Sequence, residues 1–173
     1  MFDPTVFDNL KVAFENTIYD LNNLDRRIAV TSRKDVLDMA VMGRRFSIGF
    51  QLTDGGTAYA EIELSASLKE LAAELLEQEG TNPGCELNVY FHVSMDEIDE
   101  NCRQIREALH EIWEPEQPVS QTIGFIYGST PLVYRNRIGI PFNRKINEDQ
   151  MEDIANLVDF TIKTLERLRA MGW

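Results

Sequence analysis

Four residues of this chain could together bind a metal ion, namely Cys85, His92, Cys102 and His110. Structural zinc needs four thiolate or imidazole ligands that converge on one point. Strand periodicity argues against convergence, because Cys85 and His92 fall on opposite faces of one predicted strand. Cys102 lies on the apolar stripe of the next predicted helix, whereas His110 lies among charged residues. The sequence therefore predicts buried thiols, exposed histidines, no metal site and no cofactor.

Residues that could support catalysis are equally sparse. His110-Glu111 begins like a zinc-protease helix, but Glu114 stands where the second histidine of that motif is needed. The acidic run 96–100 lacks the calcium-loop pattern, and the first turn of a helix favours negative charge in any case. Ser129 falls in a predicted turn without the Gly-x-Ser-x-Gly elbow of a serine nucleophile. We therefore expect a protein that is not an enzyme.

Charge is distributed unevenly along the chain. The net charge is −12, and 22 of the 29 acidic residues fall in four predicted helices. Ten of the 17 basic residues fall in or beside predicted strands. Binding to nucleic acid or to an anionic membrane needs a basic surface, so the acidic balance argues against both partners. The segregation indicates that a surface, rather than a set of reactive groups, carries the function.

The remaining composition indicates a cytoplasmic protein. Two cysteines are too few for a disulfide framework and suit a reducing compartment. Residues 1–4 lack the basic and apolar layout of a secretory signal, and we expect the folded domain to begin there. The longest uncharged stretches contain polar residues, glycine and proline, so we expect no segment that spans a membrane.

Capping signals predict four helices. Asp3 is a natural N-cap and Pro4 suits the first helical position, so we expect the first helix to begin there. Capping boxes predict the starts of the other three, at Ser67, Ser94 and Asn147. We expect the second helix to bury Leu68, Leu71, Ala72, Leu75 and Leu76 and to end near Gly80. The last helix should run for about 24 residues, on the order of 36 Å.

Alternating apolar and polar residues predict the strands. The clearest hairpin joins 45–52 to 58–64 through a turn at residues 54–56. Further strands are predicted at 27–31, 85–93, 119–127 and 132–142. Residues 32–42 fit either a short helix or a strand that enters the next one through a bulge at Gly43. The chain over 1–173 should form a single α+β domain, with a mostly antiparallel sheet of about five to six strands and helices on one face.

If the apolar strand faces pack under the helices, the opposite face of the sheet is a candidate binding surface. It displays Arg45, Tyr59, Glu61, Tyr90, His92, Arg135 and Arg137. One interpretation is an ordinary solvated face with cross-strand ion pairs. The other is a binding surface in which tyrosine and arginine serve as contact anchors.

The last helix carries a broad apolar stripe that includes Val158, Ile162 and Leu165 and is widened by Leu157 and Phe160. A stripe this broad indicates either a deeply buried helix or one shared with a partner subunit. We therefore expect a homodimer, formed through this helix or through a sheet edge.

The tail resembles the end of YbjN-type bacterial proteins. The resemblance covers about 40 residues, from Pro131-Leu132-Val133-Tyr134-Arg135 through Ile138-Gly139-Ile140-Pro141-Phe142 to the capped last helix. It implies a fold similar to that of type III secretion chaperones, which dimerise and bind segments of other proteins. This chain differs by an extra strand and helix over 85–113, and the resemblance carries no catalytic residue.

Two hypotheses of function follow. The first is a non-catalytic, cytoplasmic bacterial protein that binds another protein or a peptide, in a chaperone-like or regulatory role. The alternative is a small-molecule-binding regulator or weakly marked enzyme, with a pocket between the sheet and its helices. An enclosed polar cavity would favour the alternative, and an exposed apolar patch would favour the first hypothesis.

Overall fold

Six strands pair antiparallel in one sheet, in the order β1-β2-β3-β4-β6-β5, within residues 5–173, which are the residues that the computed structural model describes. The strands are β1 Ile28–Asp38, β2 Gly43–Leu52, β3 Tyr59–Ala66, β4 Glu86–Met95, β5 Ser120–Gly124 and β6 Tyr134–Ile140. The α-helices are α1 Val6–Asp20, α2 Leu68–Leu75, α3 Asp99–Trp113 and α4 Ile154–Ala170. A π-helical turn, Leu21–Asp25, follows α1, and a 3-10 segment, Glu148–Asp153, precedes α4.

Period-two alternation places the core on one face of the sheet. The inward residues of the central strands are fully buried: Phe46, Ile48, Phe50, Ala60, Ile62, Leu64, Val89, Phe91 and Ile138. Helices α1 and α4 pack on this face, and α3 packs beside α4. The predicted α+β fold, with its antiparallel sheet, is confirmed. No helix of the described chain covers the opposite face, which we call the outer face.

The ambiguous segment 32–42 is mainly strand. Residues up to Asp38 belong to β1, and a turn over 39–42 leads into β2. The bulge predicted at Gly43 lies elsewhere, because the register shifts between Val30 and Ser32 and leaves Thr31 as the extra residue. Strands β1 and β2 approach closely beside this bulge, where Ser32 pairs with Gly49. A Cβ on Gly49 would come within 2.5 Å of the Ser32 hydroxyl, so glycine is needed there.

The helix starts agree only partly with the predicted caps. Thr5 caps the described start of α1, and the cap predicted at Asp3-Pro4 lies outside the described residues. Asn147 forms the predicted box, in which its N–H donates to Gln150 at 2.9 Å. The capping box predicted at Ser94 is wrong, because Ser94 belongs to β4. The carboxylate of Glu97 caps α3 instead, by accepting backbone N–H groups of its first turn.

Helix α2 also differs from its prediction. Ser67 caps it as expected, but the helix ends at Leu75 and buries none of its residues fully. Leu68, Leu75 and Leu76 are exposed, and Leu71 packs against the core. The reason is position: α2 connects the end of β3 to the start of β4, and Leu71 is the residue through which it packs against the core.

Helix α4 is deeply buried, which is the first of the two predicted alternatives. Its stripe lies in the core of this chain, including Val158, Ile162, Leu165 and Leu168. Phe160 is the large apolar side chain of α4 that is exposed, at 40%. The width of the stripe is therefore accounted for without a partner subunit.

Much of the segregated charge forms ion pairs between helices and strands. Arg44 of β2 contacts Asp8 of α1 at 2.7 Å and Asp35 of β1 at 3.4 Å. Its guanidinium also lies 4.4 Å from the centre of the Phe7 ring. Burial opposes ionisation of Asp8, but hydrogen bonds from Thr5 and Arg44 outweigh it and lower the pKa of this carboxyl.

Replacing Arg44 by methionine tests this ion-pair network. We expect Arg44→Met to lower the free energy of unfolding at pH 7 by about 2 kcal/mol, since charged hydrogen bonds are lost. A lowered folded-state pKa stabilises the fold above the ordinary carboxyl pKa, and this stabilisation is lost as pH falls through the folded-state value. The difference between the proteins should therefore shrink towards pH 3 in urea unfolding curves. Arg106→Met, at an exposed position of α3 without an ion pair in the described chain, is the control. An equal loss in both variants would contradict the role of Arg44.

Candidate functional site

The four possible metal ligands do not meet. Cys85 is buried at the start of β4, where its backbone pairs with Ile146. The thiol of Cys102 lies 4.0 Å from the Met95 sulfur, at the opposite end of the same strand. Burial raises the pKa of Cys85 to about 12, so this thiol is unreactive near neutral pH. Among residues 5–173 no cluster of three or more ligating side chains could hold a metal ion.

Both histidines differ from their predicted exposure. His92 and His110 are half-buried rather than exposed, and Cys102 is half-buried rather than fully buried. His92 does lie on the outer face, as the alternation predicts, but its ring is covered by neighbouring side chains. Its Nε2 atom is buried and has no hydrogen-bond partner in the described chain.

The outer face brings most of the predicted surface residues together. In the strand register, Tyr59 of β3 lies opposite His92 of β4, which lies opposite Arg137 of β6. The Tyr59 and His92 rings stack with their centres 4.4 Å apart and their planes within 8°. Tyr90 lies one step along β4, opposite Glu61.

Tyr90 and Arg137 form a second stacked pair. The guanidinium carbon of Arg137 lies 3.6 Å from the centre of the Tyr90 ring, a cation–π contact. Gly139 lies opposite Tyr90, and a Cβ there would come within 2.6 Å of the Ser120 hydroxyl. Stacking on Tyr90 holds the arginine in one orientation on the sheet surface.

Arg45 does not join this group. It lies opposite Ser65, near the other end of β2 and β3, whereas Gln51 of β2 lies opposite Tyr59. Arg45 lies six positions from Gln51 along β2, about 20 Å of extended strand. Arg45 forms a long contact of 3.9 Å with Glu63, which is the kind of cross-strand pair that an ordinary solvated face contains.

A cleft of about 320 Å³ lies at the end of the outer face where β3 begins. We call it the basic cleft. Its lining includes Thr57, Tyr59, His92, Ser94, Arg135 and Arg137, and no carboxylate of the described residues lines it. Neither arginine has a carboxylate within 4.0 Å in the part of the chain that the structure describes. A chain with a net charge of −12 therefore has a pocket that none of its described acidic residues lines.

An apolar surface that was not predicted from the sequence lies beside this cleft. The loop between β5 and β6 exposes Phe125, Ile126, Tyr127, Leu132 and Val133, and Tyr127 is 95% exposed. We call these five residues the apolar tip. They were predicted to lie in strands, but β5 ends at Gly124 and β6 begins at Tyr134. Three apolar residues in succession, from Phe125 to Tyr127, break the alternation of a half-buried strand, and that was the available signal.

A second cavity lies on the helical side of the sheet. This groove of about 610 Å³ runs between α1, α3, α4 and residues 141–146, with Trp113, Phe142 and Phe160 in its wall. The Trp113 ring is 5.7 Å from Phe160 and 6.3 Å from Phe142, centre to centre. The groove is open to solvent and mainly apolar, so it is not the enclosed polar cavity that would favour a small-molecule pocket.

No family model, curated protein or solved structure matches the chain. The resemblance to YbjN-type proteins therefore stays a prediction. Within the described residues, every helix is too short or too polar to span a membrane.

The titration of His92 tests the electrostatics of the basic cleft. Burial lowers the pKa of His92, and the neighbouring positive charge of Arg137 lowers it further. We expect Arg137→Gln to raise this pKa towards its ordinary value, because the repulsion between the two cations is removed. NMR titration of the imidazole Cε1 proton measures the change, with Arg45→Gln as the control at the far end of the face. An unchanged His92 pKa in Arg137→Gln would show that the two groups do not interact.

Proposed function

We propose that this chain is a non-catalytic binding protein of the bacterial cytoplasm, chaperone-like or regulatory in role. It holds a segment of another protein at the end of its sheet formed by the basic cleft and the apolar tip. The observation that carries this proposal is the apolar tip, whose five large apolar side chains are exposed together.

Exposed apolar patches of this kind are typical of interaction surfaces. The tip adjoins the basic cleft, because Gly124, where β5 ends, pairs with Arg135 near the start of β6. Apolar side chains of a partner gain affinity by burial at the tip, and charge in the cleft sets the orientation of that partner. Tyrosine and arginine are frequent anchors of binding energy at interfaces. The cleft supplies Tyr59, which stacks on His92, and Arg137, which stacks on the adjacent Tyr90.

The arrangement of the cleft favours binding over catalysis. Its histidine is stacked on Tyr59 and its buried Nε2 has no partner, so no nucleophile is positioned for this base among the described residues. Catalysis by a serine or cysteine needs a base within hydrogen-bond distance of the nucleophile. Arg137 is likewise held by stacking on Tyr90.

Affinity capture from a lysate of the native organism tests this proposal. We expect the wild-type chain to recover one or more proteins specifically, and the double variant Ile126→Ser, Tyr127→Ser to recover less than a tenth as much by quantitative mass spectrometry. The control is Leu75→Ser, Leu76→Ser, which removes two exposed leucines of α2. Equal recovery by both variants would contradict a role of the tip.

The alternative, a small-molecule-binding regulator, would place its ligand in the groove beside Trp113. The apolar wall of that groove fits an apolar ligand, and its volume lies in the range of small-molecule sites. A metabolite that copurifies with the wild-type chain, with no protein recovered, would favour this alternative over our proposal.

We further propose a homodimer, formed through the edge of β5. The stretch from Val119 to Val133 has no charged residue, whereas the other edge strand, β1, carries Arg33, Lys34 and Asp35. Charges on an edge strand discourage pairing with another chain, so β1 is protected and β5 is not. Two β5 strands related by a two-fold axis would extend the sheet across both copies.

Charge introduced at the free edge tests the dimer. In a two-fold pairing centred on Thr122, Thr122→Lys places two like charges opposite each other, which destabilises the pair. Sedimentation should show a dimer for the wild type and a monomer for this variant at micromolar concentration. Gln51→Lys, on the same face but in a central strand, should remain dimeric. A strictly monomeric wild type would contradict the proposal.

A further inference from the structure

We infer that the basic cleft binds an extended acidic segment of a partner protein, with carboxylates at alternate positions. This inference rests on the proposed function and names the chemistry of the partner. It follows from the charge, the spacing and the surroundings of Arg135 and Arg137.

Charge complementarity comes first. Nine of the 17 basic residues, such as Arg27, Arg33 and Arg44, already contact carboxylates of the chain. Arg135 and Arg137 are both exposed and contact none of the described carboxylates. Because none of the described acidic residues lines this pocket, two positive charges are left for a ligand to neutralise.

Spacing favours two carboxylates over one compact anion. Arg135 and Arg137 are alternate residues of β6 on the same face of the sheet, so their Cα atoms lie about 6.8 Å apart. Alternate residues of an extended peptide repeat at the same distance. Two such acidic side chains can therefore contact both guanidinium groups at once, and guanidinium–carboxylate pairs are among the stronger hydrogen-bonded contacts.

The surroundings of the two arginines supply side-chain hydrogen-bond donors but few free backbone N–H groups. Thr57 and Ser94 are exposed hydroxyl-bearing residues in the lining, and Ser94 lies opposite Arg135 in the register. Phosphate sites commonly use free backbone N–H groups at helix N-termini or nests. Here the strands β3, β4 and β6 are paired on both sides, so their backbone N–H groups are engaged within the sheet. Side-chain donors of this kind suit carboxylates.

The apolar tip extends the site beyond the cleft. It lies at the same end of the sheet, since β5 ends and β6 begins there. A segment whose carboxylates contact the two arginines can therefore place an apolar residue against Phe125 or Tyr127. The inferred motif is a short extended stretch with alternate acidic residues, followed or preceded by an apolar side chain.

Fluorescence anisotropy with synthetic peptides tests the inference on the full chain. The probe is a labelled octapeptide with glutamate at alternate positions and a terminal leucine pair, and the matched peptide has glutamine in place of glutamate. We expect the glutamate peptide to bind at least tenfold more tightly than the glutamine peptide. The double variant Arg135→Gln, Arg137→Gln should lose about tenfold in affinity. Arg106→Gln, Arg144→Gln, which changes the net charge equally, should stay within about twofold.

Three results would overturn the inference. These are equal loss of affinity in both double variants, equal affinity for both peptides, and displacement of the glutamate peptide by inorganic phosphate at low millimolar concentration. Thermal unfolding of each variant shows whether it is folded, and we expect both double variants, which change surface residues, to remain folded.

Failure of the acidic-segment inference can be distinguished from failure of the proposed function. If captured proteins are unaffected by Arg135→Gln, Arg137→Gln, the acidic motif is wrong while the binding role stands. If the glutamate peptide binds but no protein is captured, the binding role is wrong.

Discussion

The structure depends on one constraint, that its helices cover only one face of a six-stranded sheet. Burial of the inward residues, such as Phe46, Ile62 and Phe91, provides most of the favourable free energy available to a chain of this size. Because successive side chains alternate between faces, burial of these residues forces their neighbours onto the outer face. The position of the candidate site is therefore a consequence of how the core packs.

The same constraint explains how the chain uses its charge. Helical carboxylates and strand-borne cations meet around the rim of the sheet, where Arg44 joins α1 to β1 and β2. Lys145 likewise contacts Glu70 of α2. These two rim cations are paired within the fold, whereas Arg135 and Arg137 lie on the outer face without a carboxylate partner among the described residues, and Arg137 stacks on Tyr90. The basic residues that the sequence places in and beside strands therefore differ in the structure. Some are paired with carboxylates of the fold, whereas Arg135 and Arg137 have no carboxylate partner among the described residues.

Patterns of period two were sufficient to predict the sheet and its two faces, because burial on one face makes the register of a strand nearly unique. They correctly grouped Tyr59, Tyr90, His92 and Arg137. They could not separate Arg45 from this group. Alternation shows which face of the sheet a residue lies on, but its neighbours on that face depend on which residues of adjacent strands pair. The topology in which β6 enters between β4 and β5 has no local signal either.

Local signals failed where tertiary position decides exposure. The leucines of α2 have helical spacing, yet the helix lies beyond the sheet and leaves Leu75 exposed. The apolar tip looked like strand, because β-branched and aromatic residues favour strands wherever a neighbouring strand exists to pair with them. In both places the residues form exposed apolar surfaces that the sequence did not predict. The proposed function rests on one of these surfaces, the apolar tip.

Site-specific photo-crosslinking in the native cell tests the central claim, that the open end of the sheet rather than the helical groove meets the partner. The photoreactive residue p-benzoylphenylalanine replaces Tyr127 of the apolar tip or, in a separate protein, Phe160 at the groove. We expect a discrete protein adduct from position 127 that disappears when Arg135→Gln and Arg137→Gln are added, and no such adduct from position 160. An adduct from position 160 with none from position 127 would contradict it.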